Sequence, residues 1–378
     1  MLISNTGSWM QFVALGYLVD RLTQSPLYLG ILALSQAVPR MLFSIVGGAV
    51  ADRVDRRWLL FGTNLFLMGT AVILTALALT GKIQIWEILL LASLNAAAQS
   101  FDMPARHSLV PVLVEEREVL GAITLNSVAF NGAGVLGPSL GGVVIALGGE
   151  AGCFLVNAIS FLAVLVALLL MAPLPKVPTL TVGIAEDVRE GLRLLRTRPR
   201  LMLFLGTVAV LSFFGRPYIR MMPALAREVL HVKATGLGLL QSAPGVGTIC
   251  SALVVGWLSG RGKGSLLVIA MLLFGMAVAA FGFVPWFGVA LGLLVMIGLM
   301  QSLALSTANA LIQLNAPPHA RGRVMGLYGL VTFGGFATGS LPVGALAGRI
   351  GIGPAIAAGG FVVMVAALFL LPRFRRID

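Results

Sequence analysis

The stretch that decides the fold of this chain is Gly48-Ala-Val-Ala-Asp52-Arg53-Val-Asp-Arg56-Arg57. It stands between two long apolar runs and carries two aspartates and three arginines in its last six residues. A shorter version, Gly256-Trp-Leu-Ser-Gly260-Arg261-Gly-Lys263, follows another apolar run and keeps the spacing from glycine to arginine. A charged segment between apolar runs is typical of a short loop joining two membrane-spanning helices. Its return later in the chain indicates two related halves.

Composition supports a membrane protein. The chain has 378 residues, of which 58% are apolar and 11% charged, and its mean hydropathy is +0.99. Soluble domains have about 25% charged residues. The net charge of +12 does not indicate nucleic-acid binding, because the basic residues fall in short loops between apolar runs. Cys153 and Cys250 lie within apolar runs and are interpreted as small core residues, so no disulfide or metal site is predicted.

Twelve apolar runs reach the roughly 20 residues that a bilayer-spanning helix needs. Eighteen of the 26 Lys and Arg residues fall in alternate loops and the C-terminal tail, and five fall in the intervening loops. The other three, Arg40, Arg216 and Arg220, lie inside runs. This bias predicts that both termini are cytoplasmic. The predicted spans are 2–20, 26–49, 58–80, 84–102, 120–147, 151–172, 201–222, 236–258, 265–284, 286–313, 323–347 and 352–372.

The longest loop divides the spans into six and six. We predict an N-terminal half at 1–172, a cytoplasmic linker with a short amphipathic helix at 173–200, and a C-terminal half at 201–378. A second repeated motif also relates the two halves. The fifth span contains Gly137-Pro138-Ser-Leu-Gly141-Gly142, and the eleventh contains the corresponding Gly339-Ser-Leu-Pro342-Val-Gly344. Corresponding features lie about 205 residues apart and in parallel orientation, as expected for parallel repeats in a transporter.

Gly48–Arg57 resembles the signature of the major facilitator superfamily, Gly-x-x-x-Asp-Arg-x-Gly-Arg-Arg, with Asp55 in place of the second glycine. Over essentially the whole chain the sequence resembles the transmembrane secretion effector branch, which includes enterobactin exporters and macrolide efflux proteins. The first helix lacks the usual lead-in, so we expect the chain to start late, and Gly134 stands where the branch usually has an arginine. The segments that carry the resemblance are Ser8–Gln11, Leu22–Pro26, Phe101–Arg106, Leu109–Pro111, Leu125–Ser127 and Arg321–Val324.

The resemblance implies a conformational latch at the cytoplasmic face. The Asp52 carboxylate would approach the N-terminus of the eleventh helix, where the helix dipole favours an anion. Asp102 and Arg106 would join it, and the latch would break when the cavity opens inward. The alternative is that the positive charge only anchors a loop. The predicted latch residues are Gly48, Asp52, Arg53, Arg56, Arg57, Asp102 and Arg106.

Gly137, Pro138, Gly141 and Gly142 are predicted to break and thin the fifth helix. They resemble the antiporter motif of exporters, which favours efflux, although Ala133 replaces the upstream glycine. The alternative interpretation is close packing against the eighth helix.

Polar residues inside the spans indicate the substrate cavity. In the major facilitator architecture, helices 1, 4, 7 and 10 line the cavity, and they hold eight Asn, Gln and charged residues. Helices 3, 6, 9 and 12 hold only Asn64 and Asn157. Polar groups facing hydrocarbon are costly, so they should face a wet cavity or protein. The candidate cavity residues are Gln11, Arg40, Asn95, Gln99, Arg216, Gln301 and Asn309.

Arg216 has two interpretations. It lies deep in the seventh span with no mid-membrane carboxylate to pair with it, so it either contacts the ligand or pairs with backbone carbonyls. A ligand role would favour substrates with carboxylate, catecholate or clustered carbonyl oxygens. For Arg40 we favour a structural role, and Arg220 is expected to reach the outer surface.

Together these features predict a monomeric secondary transporter in the bacterial inner membrane that exports drug- or siderophore-like compounds by alternating access. No Gly-x-x-x-x-Gly-Lys loop is present, so ATP is not expected to drive it directly, and the resemblance implies protons. No cofactor or metal is predicted. An importer or lipid flippase of the same fold is the alternative. A membrane-embedded enzyme would need a nucleophile with histidine or a set of metal ligands inside the spans, and the repeat argues against a passive channel.

Overall fold

The computed structural model describes residues 2–109, 114–171, 197–257 and 262–374, without the side chains of residues 45–49, 51–53, 107, 108, 116, 255–257 and 319. All regular structure in these residues is helical, which confirms the predicted all-α class. A π-helical segment, Leu211–Gly215, joins α6 to α7. The helices are α1 Leu2–Thr23, α2 Pro26–Arg53, α3 Arg56–Leu79, α4 Ile85–Leu109, α5 Val119–Leu170, α6 Pro199–Val210, α7 Tyr218–Glu228, α8 Ala234–Trp257, α9 Lys263–Phe281, α10 Phe287–Asn315, α11 Arg321–Ile350 and α12 Ile352–Phe374.

The predicted spans map onto these helices. Nine stretches of the described chain are long and apolar enough to cross a membrane. One of them, α5, has 52 residues, which at 1.5 Å each measure about 78 Å and suffice for two crossings. Its one non-helical residue is Gly149, whose φ of 68° favours glycine, so its two parts are the predicted fifth and sixth spans. α1 and α4, of 22 and 25 residues, are long enough but more polar and fall outside this set; counting them, with α5 as two crossings, would give the predicted twelve.

The chain forms two compact units that do not follow the two sequence halves strictly. Among the described residues, the first unit holds α1, α2 from Leu34 onward, α3 to α5, and α8 up to Ser242. The second holds the start of α2 up to Ala33, α6 and α7, the rest of α8, and α9 to α12. Each unit therefore includes the opening turns of a helix from the other half of the sequence.

In the first unit, α1 packs along α5, and α3 packs against α4 and α5. Asn64 and Asn157, the two polar residues of the helices predicted to face lipid, are 0% and 1% exposed. The Asn157 side-chain amide donates to Gln11 Oε1 on α1 over 2.6 Å. Both residues therefore turn toward protein, as the cost of a polar group in hydrocarbon requires.

In the second unit, α9 packs against α10 and α12, and α11 packs against α12 and the π-helical segment. Large aromatic side chains fill this core. Phe204 and Phe374 have their ring centroids 5.6 Å apart, and Phe274 and Phe281 on α9 are fully buried. This packing holds the π-helical segment, which is the important irregularity of the seventh span.

Candidate functional site

The Gly48–Arg57 stretch forms the end of α2 and the start of α3. Asp55, the departure from the family signature, is the N-cap of α3, and its carboxylate accepts a hydrogen bond from the Arg57 backbone N–H over 2.9 Å. Its φ of −57° is accessible to any residue, so no glycine is needed there. Three of the predicted latch residues, Gly48, Asp52 and Arg53, have side chains outside the described part of the chain.

Arg57 caps the C-terminus of α5. Its Nε donates to the Leu168 carbonyl over 2.6 Å, and its Nη2 donates to the Leu169 carbonyl over 2.9 Å. The last carbonyls of a helix have no partner within the helix and carry its negative dipole end, so a guanidinium stabilises them. Arg56 is the half-buried first residue of α3. The positive charge of this stretch thus serves partly to fasten α3 to α5.

Asp102 and Arg106 form a buried ion pair one turn apart on α4, with 7% and 13% of their side chains exposed. Asp102 Oδ2 lies 2.8 Å from Arg106 Nη2 and 3.0 Å from its Nε. From α3, the Asn64 amide donates to Asp102 Oδ1 over 2.7 Å and the Thr63 hydroxyl donates over 3.3 Å. Arg106 Nη1 is buried and has no hydrogen-bond partner among the side chains and backbone groups that the structure describes. The structure therefore brings together the α4 pair that the latch requires.

The Gly137–Gly142 segment thins α5 but does not break it. The prediction of a break is wrong, because α5 continues through Pro138 and its only non-helical residue is Gly149. A Cβ on Gly137 would collide with Trp9 of α1, and one on Gly142 would lie 2.6 Å from the Ala234 carbonyl oxygen of α8. Gly141 also faces α1, at Met10. The segment therefore provides close packing on two sides.

The α5–α8 crossing has a counterpart between α2 and α11. In the first crossing, Gly142 faces Gly238, whose added Cβ would lie 2.9 Å from the Gly142 Cα. In the second, a Cβ on Gly30 of α2 would lie 2.8 Å from the Leu341 Cα, and one on Gly344 would lie 2.6 Å from the Pro26 carbonyl oxygen. The same contact thus occurs once in each unit, between equivalent helices of the two repeats.

Prolines accompany both crossings at equivalent positions. α5 and α11 carry Pro138 and Pro342 inside the crossing segments. In α2 and α8, which each belong partly to one unit and partly to the other, Pro39 and Pro244 come shortly after the residue at which the helix passes into the second of its two units. A proline removes one helix hydrogen bond and leaves a carbonyl without its donor. For Pro39 that carbonyl belongs to Ser35, and the Ser93 hydroxyl of α4 donates to it over 2.9 Å.

A chain of polar side chains crosses the first unit from Arg40. Arg40 Nη2 donates to Gln99 Oε1 over 2.5 Å, and the Gln99 amide donates to Asn95 Oδ1 over 2.6 Å. The Asn95 amide reaches the Thr70 hydroxyl at 3.4 Å. Arg40 is exposed whereas Asn95 is 8% exposed, so the chain runs from an accessible cation into the core. Three predicted cavity residues therefore lie in one hydrogen-bonded line.

Arg216 lies at the end of the π-helical segment, and its backbone N–H bonds to the Leu211 carbonyl five residues back. Its half-buried guanidinium donates to the Thr332 carbonyl over 3.2 Å and stands 5.1 Å from the centre of the Phe336 ring. The Arg220 guanidinium is 6.0 Å from the same ring. π-helical turns occur frequently at functional sites. The structure gives Arg216 one backbone carbonyl, as the structural interpretation expects, but among the described residues no acceptor reaches its buried Nε.

The remaining predicted cavity residues differ in accessibility. Gln11 is 4% exposed and is held by Asn157, so in this state it connects α1 to α5. Gln301 is half-buried on α10 and accepts from the Tyr218 hydroxyl at 3.4 Å. Asn309, half-buried two turns further along α10, accepts from the Gln313 amide over 2.5 Å.

The buried acid Glu150 was absent from the predicted sites. Glu150 is 8% exposed and pairs with Arg21 of α1, whose Nε lies 2.9 Å from Glu150 Oε1. The sequence did carry a signal, because Glu150 follows Gly149, and an acid in the first turn after a helix break is favoured by the helix dipole. Within the described residues, no group of three His, Cys, Asp or Glu side chains is arranged to hold a metal ion.

Comparison with known proteins agrees with this architecture. The chain is 26% identical to the multidrug efflux pump Tap of Mycolicibacterium fortuitum, with 100% of this chain and 95% of that protein covered. It is 27% identical to the enterobactin exporter EntS of Citrobacter koseri, with 86% and 78% covered. A crystal structure of a mutant of the nucleoside transporter NupG superposes with a TM-score of 0.78 at 14% identity, covering 98% of both chains, which shows the fold.

The predicted fold class and family resemblance are confirmed by these comparisons. The family model described as transmembrane secretion effector matches residues 1–377. The chain is therefore a multi-pass membrane transporter rather than an enzyme, and it belongs to the transmembrane secretion effector family.

Proposed function

We propose that this protein exports small amphipathic molecules, drug- or siderophore-like, across the bacterial cytoplasmic membrane by alternating access coupled to the proton gradient. Both termini and the 173–200 linker are cytoplasmic in this proposal, as the distribution of Lys and Arg favours. The relatives that carry the words efflux pump and exporter in their names support the direction. A single chain suffices, since both repeats are present in it.

The observation that carries the proposal is the pair of equivalent helix crossings. Alternating access needs contacts that close one end of the pathway and part as a unit when it opens. At the Gly142–Gly238 and Gly30–Leu341 approaches the atoms nearest to each glycine are backbone atoms, so we propose that the helices can separate at these points without repacking a large side chain. They lie at the ends of α5, α8, α2 and α11 that the charge bias places outside.

At the cytoplasmic ends, the Asp102–Arg106 pair supports the latch. Asp102 receives hydrogen bonds from Asn64 and Thr63 of α3 in addition to Arg106, so it fixes α4 against α3. Asp52 on the last turn of α2 would complete the latch at the next helix, and loss of either acid would release it. The bias needed is small, because a shift of a few kcal/mol is enough to change which state dominates.

Proton coupling has to use acids near the helix ends. The sequence places no Asp or Glu in the middle of a span. Asp102 and Asp20, both 5% exposed, are the acids that we propose for the coupling step. A buried carboxylate changes its preferred partners when it gains a proton, so protonation of Asp102 would weaken its hold on Arg106.

The test begins with a drug and siderophore susceptibility panel in a host that lacks its own pumps, which supplies a transported compound. Everted vesicles from the same host, energised by respiration, should then accumulate that compound, and a protonophore should abolish the accumulation by collapsing both the pH difference and the membrane potential. The Asp102→Asn variant should fail to accumulate it while inserting normally. Accumulation in right-side-out vesicles instead would refute export and indicate an importer. Accumulation that persists with the protonophore would refute proton coupling.

A further inference from the structure

We propose that Arg216, Arg220 and Phe336 form a binding subsite for an organic anion, so that the transported compounds include amphipathic carboxylates or similar oxyanions. The inference deepens the proposed function, on which it rests, by naming a substrate class. It starts from the electrostatics of the second unit and from the way in which the π-helical segment is held.

Acids are nearly absent from the part of the sequence that carries this subsite. From residue 191 to residue 377 the sequence holds a single acid, Glu228, against 16 Lys and Arg residues. Glu228 is engaged by its neighbour Arg227, whose Nη2 lies 2.9 Å from the carboxylate. Among the described residues, Arg216 makes no ion pair. A guanidinium without a countercharge in a site of low dielectric favours any ligand that brings a negative charge.

Two guanidinium groups converge on one aromatic ring. The guanidinium carbon of Arg216 is 5.1 Å from the Phe336 ring centre, and that of Arg220 is 6.0 Å from it. The ring stabilises the cations through its face, but it supplies no negative charge. A ligand cation would meet two like charges here. A carboxylate would meet planar donors in the geometry that guanidinium groups offer to planar oxyanions.

The guanidinium of Arg216 keeps donor capacity. Within the described part of the chain, its Nη1 is bonded to the Thr332 carbonyl at 3.2 Å, and its Nε is buried without an acceptor. A purely structural arginine in a membrane protein would be expected to satisfy its donors with carbonyls. The half-buried Arg216 therefore has the donors and the charge that an anionic ligand needs.

The backbone beneath Arg216 is held rigidly. Two helices approach the π-helical segment through glycines: Gly335 and Gly339 of α11 meet Ser212 and Phe213, and Gly359 of α12 meets the Phe214 carbonyl. A Cβ on any of these glycines would collide with the segment or press tightly against it. Because the π-helical turn is enclosed in this way, the position of Arg216 is set before any ligand arrives. A preorganised donor loses less entropy on binding than a mobile one.

The test measures binding to the purified full-length protein in nanodiscs, without transport. The probes are 1-naphthoate, its neutral isostere 1-naphthamide, and tetraphenylphosphonium as the cation. The wild type should bind 1-naphthoate more tightly than the other two. Arg216→Gln should weaken 1-naphthoate binding by about tenfold or more, as expected for loss of a charge-assisted hydrogen bond, and leave 1-naphthamide unchanged. Arg216→Lys should bind 1-naphthoate with intermediate affinity, because lysine keeps the positive charge but lacks the planar, paired N–H donors of the guanidinium group.

Arg349→Gln is the matched control, since Arg349 is an exposed cation on α11 in the same unit. It should bind 1-naphthoate as the wild type does. The proposal is overturned if folded Arg216→Gln protein, judged by its thermal melt, binds 1-naphthoate as tightly as the wild type, or if tetraphenylphosphonium is the preferred probe. If Arg216→Gln loses anion binding but the wild type shows no export in vesicles, the proposed function is refuted and the subsite stands. If the wild type exports but Arg216→Gln binds the anion normally, the subsite alone is refuted.

Discussion

Substitution of Gly142 by alanine tests the helix crossings directly. The added Cβ would lie 2.6 Å from the Ala234 carbonyl oxygen and 3.0 Å from the Gly238 Cα, and both are backbone atoms that cannot rotate away. Ordinary contact begins near 3.4 Å, so α5 and α8 must part by about 0.8 Å. Overpacking of this kind costs typically about 1–3 kcal/mol. The closed crossing should therefore become about 5- to 150-fold less favoured.

The assay is the distance between spin labels on either side of this crossing, at Val143 on α5 and Leu239 on α8. Both side chains are exposed, at 46% and 47%, so the labels should not disturb the packing. Gly142→Ala should broaden the distance distribution toward longer separations and slow transport. Gly148→Ala is the matched control, because Gly148 is also on α5 and a Cβ there would meet nothing within 4 Å. Identical distance distributions for both variants and the wild type would show that the crossing accommodates an added methyl group, and that the close approach of α5 and α8 has no role in transport.

Three further predictions concern the latch, the proline of α2 and the topology. Asp52→Asn removes an anion while keeping size, so it should cut transport sharply with normal membrane insertion; wild-type export would show that the stretch only anchors a loop. Ser93→Ala leaves the Ser35 carbonyl, already deprived of its helix donor by Pro39, without its hydroxyl partner, and should lower the free energy of unfolding by about 1–3 kcal/mol. The same change in a Pro39→Ala background should cost much less, and equal costs in a thermal-melt comparison would disprove the pairing. A single cysteine near position 190 should resist an impermeant reagent on intact cells, with a cysteine in the loop after α3 as the labelled control, and strong labelling near 190 would overturn the topology.

The span pattern was predictable because it depends on local properties of the sequence. Each signal can be read from a stretch no longer than one helix. These signals are the long apolar runs, the bias of Lys and Arg between loops, and the glycine before Glu150. The predicted break between spans at 148–150 matches Gly149. α4 continues to Leu109, beyond the predicted span end at 102, and its polar extension is held by the Asp102–Arg106 pair and by the bonds from α3 to Asp102, which are not visible in the apolar pattern.

The details of the site depended on contacts between distant residues, which a single sequence does not reveal. Arg57 binds the carbonyls of Leu168 and Leu169, which lie 111 and 112 residues away, and a backbone carbonyl has no sequence signature. The π-helical turn before Arg216 is a further example. Its five residues are apolar or small like their neighbours, and the glycines of α11 and α12 that press on them come much later in the chain.

The polarity of α1 has a consequence for how the protein is made. This helix precedes all the other described helices in the chain, yet it falls outside the set of helices that are long and apolar enough to cross a membrane. Acidic and basic residues in a segment raise its cost of insertion from the translocon. Its buried Gln11 is satisfied by Asn157, 146 residues later, and its Arg21 pairs with Glu150, so both partners lie in the second part of α5. We therefore expect α1 to remain loosely inserted during the synthesis of the intervening helices, so that the biogenesis of the first unit cannot be completed before its sixth span emerges.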